Sequence, residues 1–522
     1  MTTSSPRADW RAWSGLAVLS LPTLLVSMDV SVLLLALPHL SESLNADGLQ
    51  QVWIMSIYGF VLSGFLVTMG TLGDRIGSRK LLLIGGATFG VISFVAGHAT
   101  SPGMLIGYRA VLGIAGATIM PSGYALVRNI FHDEKQRSVA LAVFISCVMA
   151  GGTVGSVMGG ILLQHFWWGS VFLMGIPVMA LLLVTGPFLL PENRNPGAGR
   201  VDLISVLLSL LAILPIVFWF DEASQNGLQL IPALIGLAGV ACAVLFVRRE
   251  LRLPVPLLDL KLFRGRTFTS ALVIMLVGSF LSAGIMLLFV QYLQLVKELS
   301  PLRAGFFMII PSVATTVGVM MAPFLARRLR AAYVIAIGLL IAALGLTVLT
   351  QVGVSTSLVV SLGAVLCFGL GVGPFVMLAT EVIQGAVPPQ KAGSAGALSQ
   401  TSGEGGVALG IAVLGGISVA VYGSKLVIPA GTPAGVASVA KQSIANATVA
   451  ATRLPPAQGH ALLANARSAF SEGLNIVAVV VAVVAVALAI LAATTLRDAK
   501  RPGEGMPSQE TSVIGKEAPV DS

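Results

Sequence analysis

Fourteen apolar runs, most of them 18–25 residues long, follow one another along this 522-residue chain. A helix needs about 20 apolar residues to cross the roughly 30 Å hydrocarbon core of a bilayer. In lipid, the backbone must satisfy its own polar groups, which leaves helices and closed barrels. The runs are too long, and not alternating enough, for the ten-residue strands of a barrel. They fall at roughly 13–37, 51–71, 81–99, 104–127, 138–163, 168–190, 202–220, 229–247, 269–293, 303–326, 332–351, 357–386, 395–422 and 473–495. The expected fold class is therefore an all-α membrane protein with 14 transmembrane helices. Only 10% of residues are charged, against about 25% in soluble domains.

The net charge of +9 does not point to nucleic acid, because the basic residues sit in short loops between apolar runs. Of the 31 Lys and Arg, 24 fall in the termini and alternate loops, and six (Lys297, Arg303, Lys425, Lys441, Arg453 and Arg467) in the opposite loops. The positive-inside rule then puts both termini in the cytoplasm of a multi-pass inner-membrane protein. Arg7 and Arg11 precede a run too long for a signal peptide, and no cleavage site is clear. Cys147, Cys242 and Cys367 each lie within an apolar run and lack metal-ligand spacing. No metal or cofactor is expected. Residues 423–472 form the longest outer loop, read as a surface hairpin with room for a short helix. The tail beyond 496 is rich in Pro, Gly, Ser and Glu and is expected to be disordered.

Asp29 stands inside the first run, WSGLAVLSLPTLLVSMDVSVLLLALPH. A charge near the bilayer midplane costs about 2.5–3.5 kcal/mol on insertion scales, so it needs a partner, a proton or a watery cavity. One reading is a hydrogen bond to a neighbouring helix, and the other is a proton or cation site. Of the 22 carboxylates, Asp29, Glu381 and Glu404 are the ones well inside apolar runs. Glu381 is near the end of its run, where a solvated cavity rim is an alternative to a coupling role. Glu404 stands amid Gly403, Gly405 and Gly406. Arg109 is the basic residue inside a run, and it must either face protein or snorkel to the nearby interface.

Two glycine patterns add to this. The loop after the second run reads Gly70-Thr-Leu72-Gly-Asp74-Arg75-Ile-Gly77-Ser78-Arg79-Lys80. Gly70 and Gly77 permit a tight turn and close helix approach. Asp74 is expected at a helix end, paired with a basic residue across the cytoplasmic face, while Arg75, Arg79 and Lys80 hold the loop inside. In the fifth run Gly151, Gly155 and Gly159 recur at i, i+4 and i+8, with Gly160 beside them, so one helix face is nearly bare. Bare faces let helices pack closely and slide.

These features, with Leu105, Arg109, Leu112, Gly113 and Gly116 in the fourth run, resemble the loop signature, the arginine motif and the antiporter motif of the major facilitator superfamily. The fourteen runs make the chain similar to its drug:proton antiporter-2 family. Matching stretches include Met28-Asp29, Leu37-Pro38, Val52-Trp53-Ile54, Ile57-Tyr58, Met120-Pro121, Pro256-Leu-Leu-Asp259, Glu298-Leu-Ser-Pro301 and Lys391-Ala-Gly393. Two departures stand out. Ser156 occupies a position where the antiporter motif usually has proline. Ser56, Thr316, Ser399 and Gln400 stand where several relatives carry acids.

The resemblance implies two six-helix halves, 13–190 and 269–495, around a central cavity. Two inserted helices would occupy 202–247, and a cytoplasmic linker 248–268. Residues 1–12 would be the cytoplasmic N-terminus. The run Pro323 to Arg328 falls where a second copy of the Gly70–Lys80 loop belongs. The implied activity is proton-coupled efflux of lipophilic cationic compounds. Asp29 would be the principal coupling acid, Glu404 the second and Glu381 the third, with Arg109 as their buried partner. Desolvation favours the neutral form of a carboxyl group, so a proton and a cation can compete for one negative charge. Met28, Trp53, Tyr58, Met120, Phe289, Gln291 and Met377 are candidate cavity contacts, each also readable as helix packing. The expected partners are a small lipophilic cation, protons and the bilayer, with a monomer sufficient. An enzyme is disfavoured by the lack of phosphate-loop, HExxH and GxSxG patterns. A dedicated exporter of one endogenous metabolite or antibiotic is the runner-up, ahead of an uptake symporter.

Overall fold

Runs that are apolar on all sides have no partner but lipid and one another, so each closes its peptide groups into a helix. The computed structural model describes residues 9–131, 133–192, 202–226, 229–253, 262–263, 265–387 and 392–497. The tail from 498, residues 1–8 and residues 254–261 of the expected linker lie outside the described residues.

The helices of the first part are α1 (Trp10–Leu44), α2 (Gly48–Ile76), α3 (Ser78–Gly97), α4 (Pro102–Ile130), α5 (Glu134–His165), α6 (Ser170–Leu173) and α7 (Gly175–Leu189). Then come α8 (Leu203–Asn226) and α9 (Leu230–Glu250). The last part holds α10 (Arg266–Gln291), continued by a π-helical turn at Tyr292–Val296, then α11 (Pro301–Phe307), α12 (Ile309–Arg328), α13 (Ala331–Leu349), α14 (Leu358–Gly385) and α15 (Ala392–Lys425). It closes with α16 (Ala434–Gln442), α17 (Ile444–Ala451) and α18 (Pro456–Thr495).

Every expected apolar run coincides with a helix or a broken pair, α6–α7 and α11–α12 being the pairs. Among the described residues, twelve spans are long and apolar enough to cross a membrane, and α5 makes a thirteenth if its arms on either side of the bend after Val148 are one span. The count of fourteen is not reached on that measure. The apolar part of α8 stops at Trp219, and the helix continues into the polar stretch Asp221–Asn226.

The packing repeats. In the first part α1 packs on α5, α2 on α4, α3 on α4, and α7 on both α1 and α3. In the last part α10 packs on α15, α12 on α14, α13 on α14, and α18 on both α10 and α13. The same pairings thus occur twice. The two sets meet through α2 on α15 and α5 on α11, which are equivalent pairs under that correspondence. Helices α8 and α9 pair with each other, and α8 lies along the α2–α15 seam. The Pro323–Arg328 stretch ends α12 immediately before α13, as the signature loop ends α2 before α3.

Contacts across the seam run from the end of the bundle poor in basic residues to its middle. Gln294 Nε2 donates to the Leu35 carbonyl at 3.0 Å. A Cβ on Gly160 would lie 3.0 Å from the Pro301 carbonyl oxygen, and one on Gly59 3.0 Å from Ala408 Cβ. The α1–α2 turn is fixed by Asn45 in the left-handed region (φ 52°) and by a capping box, Asp47 with Gln50.

The segment 423–472, expected as a surface hairpin with room for a short helix, has that helix, as α17, and is helical beyond it. Its chain forms α16 and α17, and α18 begins at Pro456 rather than near 473. Ala-rich sequence supports these helices despite their polarity. Helix α17 is buried on the seam. Asn446 Nδ2 donates to the Ala46 carbonyl at 3.1 Å, and Gln51 Nε2 donates to Ser443 Oγ at 2.9 Å.

Candidate functional site

Asp29 on α1 and Arg109 on α4 meet in the interior of the first helix set. Arg109 Nη1 donates to Asp29 Oδ2 at 2.5 Å, and Arg109 Nε donates to the Ile54 carbonyl of α2 at 3.1 Å. The Arg109 side chain is fully buried and that of Asp29 is 12% exposed. Arg109 therefore does not snorkel. Its guanidinium lies over the Tyr58 ring, 4.5 Å from the centroid, a cation–π contact that gains strength when desolvated.

Small residues make this arrangement possible. A Cβ on Gly113 would lie 2.7 Å from the Tyr58 carbonyl oxygen, and one on Gly116 2.8 Å from the Tyr58 hydroxyl. Without side chains there, α4 approaches α2 closely enough for Tyr58 to lie under Arg109. On the other flank, Gly151 abuts Ser27, Gly155 lies against Met28 and Gly159 against Val32. The bare face of α5 thus presses on the turns of α1 that carry Asp29. A small cavity bordered by Asp29, Ser93, Phe89 and Phe172 lies between α1, α3 and α6.

Glu404 is on α15. Its Oε1 accepts from Gln400 Nε2 at 3.2 Å, and the same nitrogen lies 3.7 Å from Met120 Sδ of α4. Gly405 faces Ser63 of α2, and Gly403 faces Met275 of α10. Glu381, in the last turns of α14, is half-buried and has no hydrogen bond or ion pair among the described residues. Among the described residues nothing links it to the other two acids.

The candidate cavity contacts separate. Tyr58 and Met120 join the acids as described. Met28 is buried under Gly155. Trp53 packs with Leu214 and Leu409 against a cluster of α2, α8 and α15 that includes Val217 and Ala408. Phe289 is fully buried and stacks on Tyr292. Gln291 borders a crevice with Gln51, Tyr422 and Ser443 at the basic-poor end. Met377 is 37% exposed on α14.

In the signature loop, Gly77 has a φ of +106°, which glycine adopts without strain. Gly70 faces Pro121 of α4. Arg79 Nη1 donates to the carbonyls of Pro187 at 3.2 Å and Leu190 at 3.0 Å, and its Nε is 3.5 Å from Glu192. The arginine thus ties the loop to the end of α7. Asp74 and Arg75 are exposed, and Asp74 makes no ion pair among the described residues. The expected pairing of Asp74 across the face of the bundle is not found among the described residues, where its side chain is turned to the surface.

Sequence reasoning missed the polar latch of Gln51, Ser443 and Asn446. It noted Gln400 only as a replaced acid. A lone Gln or Asn in a helix carries no positional signal, and these partners are separated by up to 400 residues in the chain.

The sequence pattern of the Major Facilitator Superfamily matches residues 19–411. The chain is 38% identical over 496 residues to the multidrug efflux pump LfrA of Mycolicibacterium smegmatis, covering 95% of this chain and 98% of that one. It is 34% identical over 462 residues to the methyl viologen resistance protein SmvA of Salmonella typhimurium, covering 88% and 93%. Among solved structures, it is similar to a bacterial homologue of the human lysosomal transporter Spinster in an inward-facing, unoccupied conformation. That match has a TM-score of 0.68 at 16% identity and covers 95% of this chain and all of that one.

Proposed function

The chain belongs to the major facilitator superfamily, and from that footing we propose that it is a proton-coupled multidrug exporter of lipophilic cations. The observation that carries this is the buried Asp29–Arg109 pair with Glu404 on the helix that α2 packs against. The relatives' names, an efflux pump and a resistance protein, support export over uptake.

In this reading the two helix sets, 13–190 and 269–495, are the moving halves, with 202–247 inserted between them. The basic end of the bundle is cytoplasmic and both termini lie there. A cation entering from the cytoplasm competes with a proton for the carboxylates. Substrate moves outward as protons move inward, each charge worth about 2.3 kcal/mol per 100 mV of membrane potential. Arg109 keeps Asp29 oriented and offsets its charge. Glu404 takes the second coupling role and Glu381 the third.

The test is pH-gradient-driven ethidium efflux in everted vesicles, for wild type and Asp29→Asn side by side. Efflux by the wild type and its loss in the variant support the reading. Ethidium efflux that persists undiminished in Asp29→Asn removes Asp29 from the coupling role.

A further inference from the structure

Tyr58 is 2% exposed, and its hydroxyl has no hydrogen-bond partner among the described residues. Nη2 of Arg109, on the guanidinium stacked over that ring, is likewise buried and without an acceptor. Two polar atoms of one stacked pair therefore offer hydrogens that the surrounding helices do not take up. Buried polar groups are rarely left so, and each such case asks for an explanation.

The position of the ring suggests one. Tyr58 is on α2, which packs across the seam on α15, the helix of Glu404. Its hydroxyl lies beside Gly116 of α4, and one turn further along α4 Met120 touches Gln400, the partner of Glu404. Asp29, Arg109 and Glu404 all lie within electrostatic reach of the hydroxyl. These are the charged groups that face it from α1, α4 and α15. Helices α3 and α8 also pack on α2, and they carry charges only near their ends, at Arg79 and Lys80 and at Asp221 and Glu222.

We propose that Tyr58 links the proton occupancies of Asp29 and Glu404. Its ring holds the Arg109 guanidinium against Asp29. Its hydroxyl and Arg109 Nη2 together donate, through a buried water, toward the Glu404 carboxylate. When Glu404 is charged, the hydroxyl points to it and the guanidinium is drawn across the stack. When Glu404 is protonated, the guanidinium serves Asp29 alone. Tyr58 stays a neutral phenol throughout and is a positioning residue, not a drug contact. This deepens the exporter reading and rests on it for the transport consequence, though the linkage itself is measurable without transport.

The experiment is infrared titration of the purified full-length chain in lipid nanodiscs. The carboxylic C=O band lost in Glu404→Gln identifies Glu404, and its midpoint is followed in wild type, Asp29→Asn, Tyr58→Phe and the double variant. Asp29→Asn is expected to move the Glu404 midpoint by about one pH unit, tenfold in proton affinity. In the Tyr58→Phe background most of that shift disappears. Gly116→Ala, which crowds the hydroxyl while keeping the tyrosine, gives the same loss and guards against a folding defect in Tyr58→Phe. Equal shifts with and without the hydroxyl would overturn the proposal. Ethidium efflux is measured alongside. Its absence in the wild type counts against the exporter reading and leaves the infrared result to decide the linkage.

Discussion

Arg109 is sealed from solvent while its partner Asp29, 2.5 Å away, keeps 12% of its side chain open. The pair is therefore asymmetric: the cation is fixed by the Ile54 carbonyl and the Tyr58 ring, and the carboxylate is the member that a proton can reach.

Breaking such a pair on one side leaves an uncompensated buried charge, which costs about 3–5 kcal/mol. Asp29→Asn is expected to lower the melting temperature in detergent as well as to abolish efflux. The double variant Asp29→Asn with Arg109→Gln regains stability without regaining transport. Equal melting temperatures for wild type and Asp29→Asn would mean that the ion pair carries little of the fold.

Gly155 presents its bare face to Met28, where an added Cβ would lie 2.9 Å from a carbonyl oxygen. Overpacking of this kind costs about 1–3 kcal/mol. Gly155→Leu should push α5 off α1 and stop ethidium efflux while the chain still reaches the membrane. Gly103 has open space around it, and Gly103→Ala is the matched control with wild-type efflux.

Gln51 and Ser443 join the two helix sets at the basic-poor end. If the halves rock, this contact must part in each cycle. In a cysteine-free background, Gln51→Cys with Ser443→Cys is expected to cross-link under oxidation and to stop efflux, with recovery on reduction. Full efflux by the cross-linked protein would show that this end does not open.

Asp202 caps α8 and accepts from Arg249 Nη2 at 3.0 Å and from Ser205 Oγ at 2.7 Å. Partial burial works to raise its carboxyl pKa, and the hydrogen bonds outweigh that and hold it below the usual carboxylate range. A depressed folded-state value means stabilisation that is complete above the unfolded value of about 3.9 and lost as pH falls further. The melting-temperature difference between wild type and Asp202→Asn should be constant from pH 7 to 5 and shrink toward pH 3. A difference that does not change with pH would assign the effect to packing alone.

Much of the architecture is legible in the sequence because lipid imposes so few solutions. Each apolar run could be placed without knowing its neighbours, and Asp29, Arg109 and Glu404 stood out as charges where charge is costly. Pairing was not legible. Helices that are apolar on every side do not announce which face meets which: the resemblance named Arg109 as the acids' buried partner, but that it pairs with Asp29, 80 residues away, and not with Glu404 or Glu381 came from the structure. Asp74 and Arg79 illustrate the same limit. Their loop shows that both are charged but not what they meet: Asp74 stays at the surface, and Arg79 turns to the end of α7. The 456–472 stretch was missed for another reason. Its polarity hides it from a hydropathy reading, while its alanines make it a continuation of the last helix.

That continuation has a geometric consequence. At 1.5 Å per residue, the 40 residues of α18 span about 60 Å, twice the hydrocarbon thickness of about 30 Å. The polar first turns of α18 rise clear of the lipid and carry α16 and α17 with them. The protein thus has a pedestal at the basic-poor end of the bundle, built from the segment that packs across the seam there. An antibody fragment that grips this pedestal would hold the transporter by its shutter.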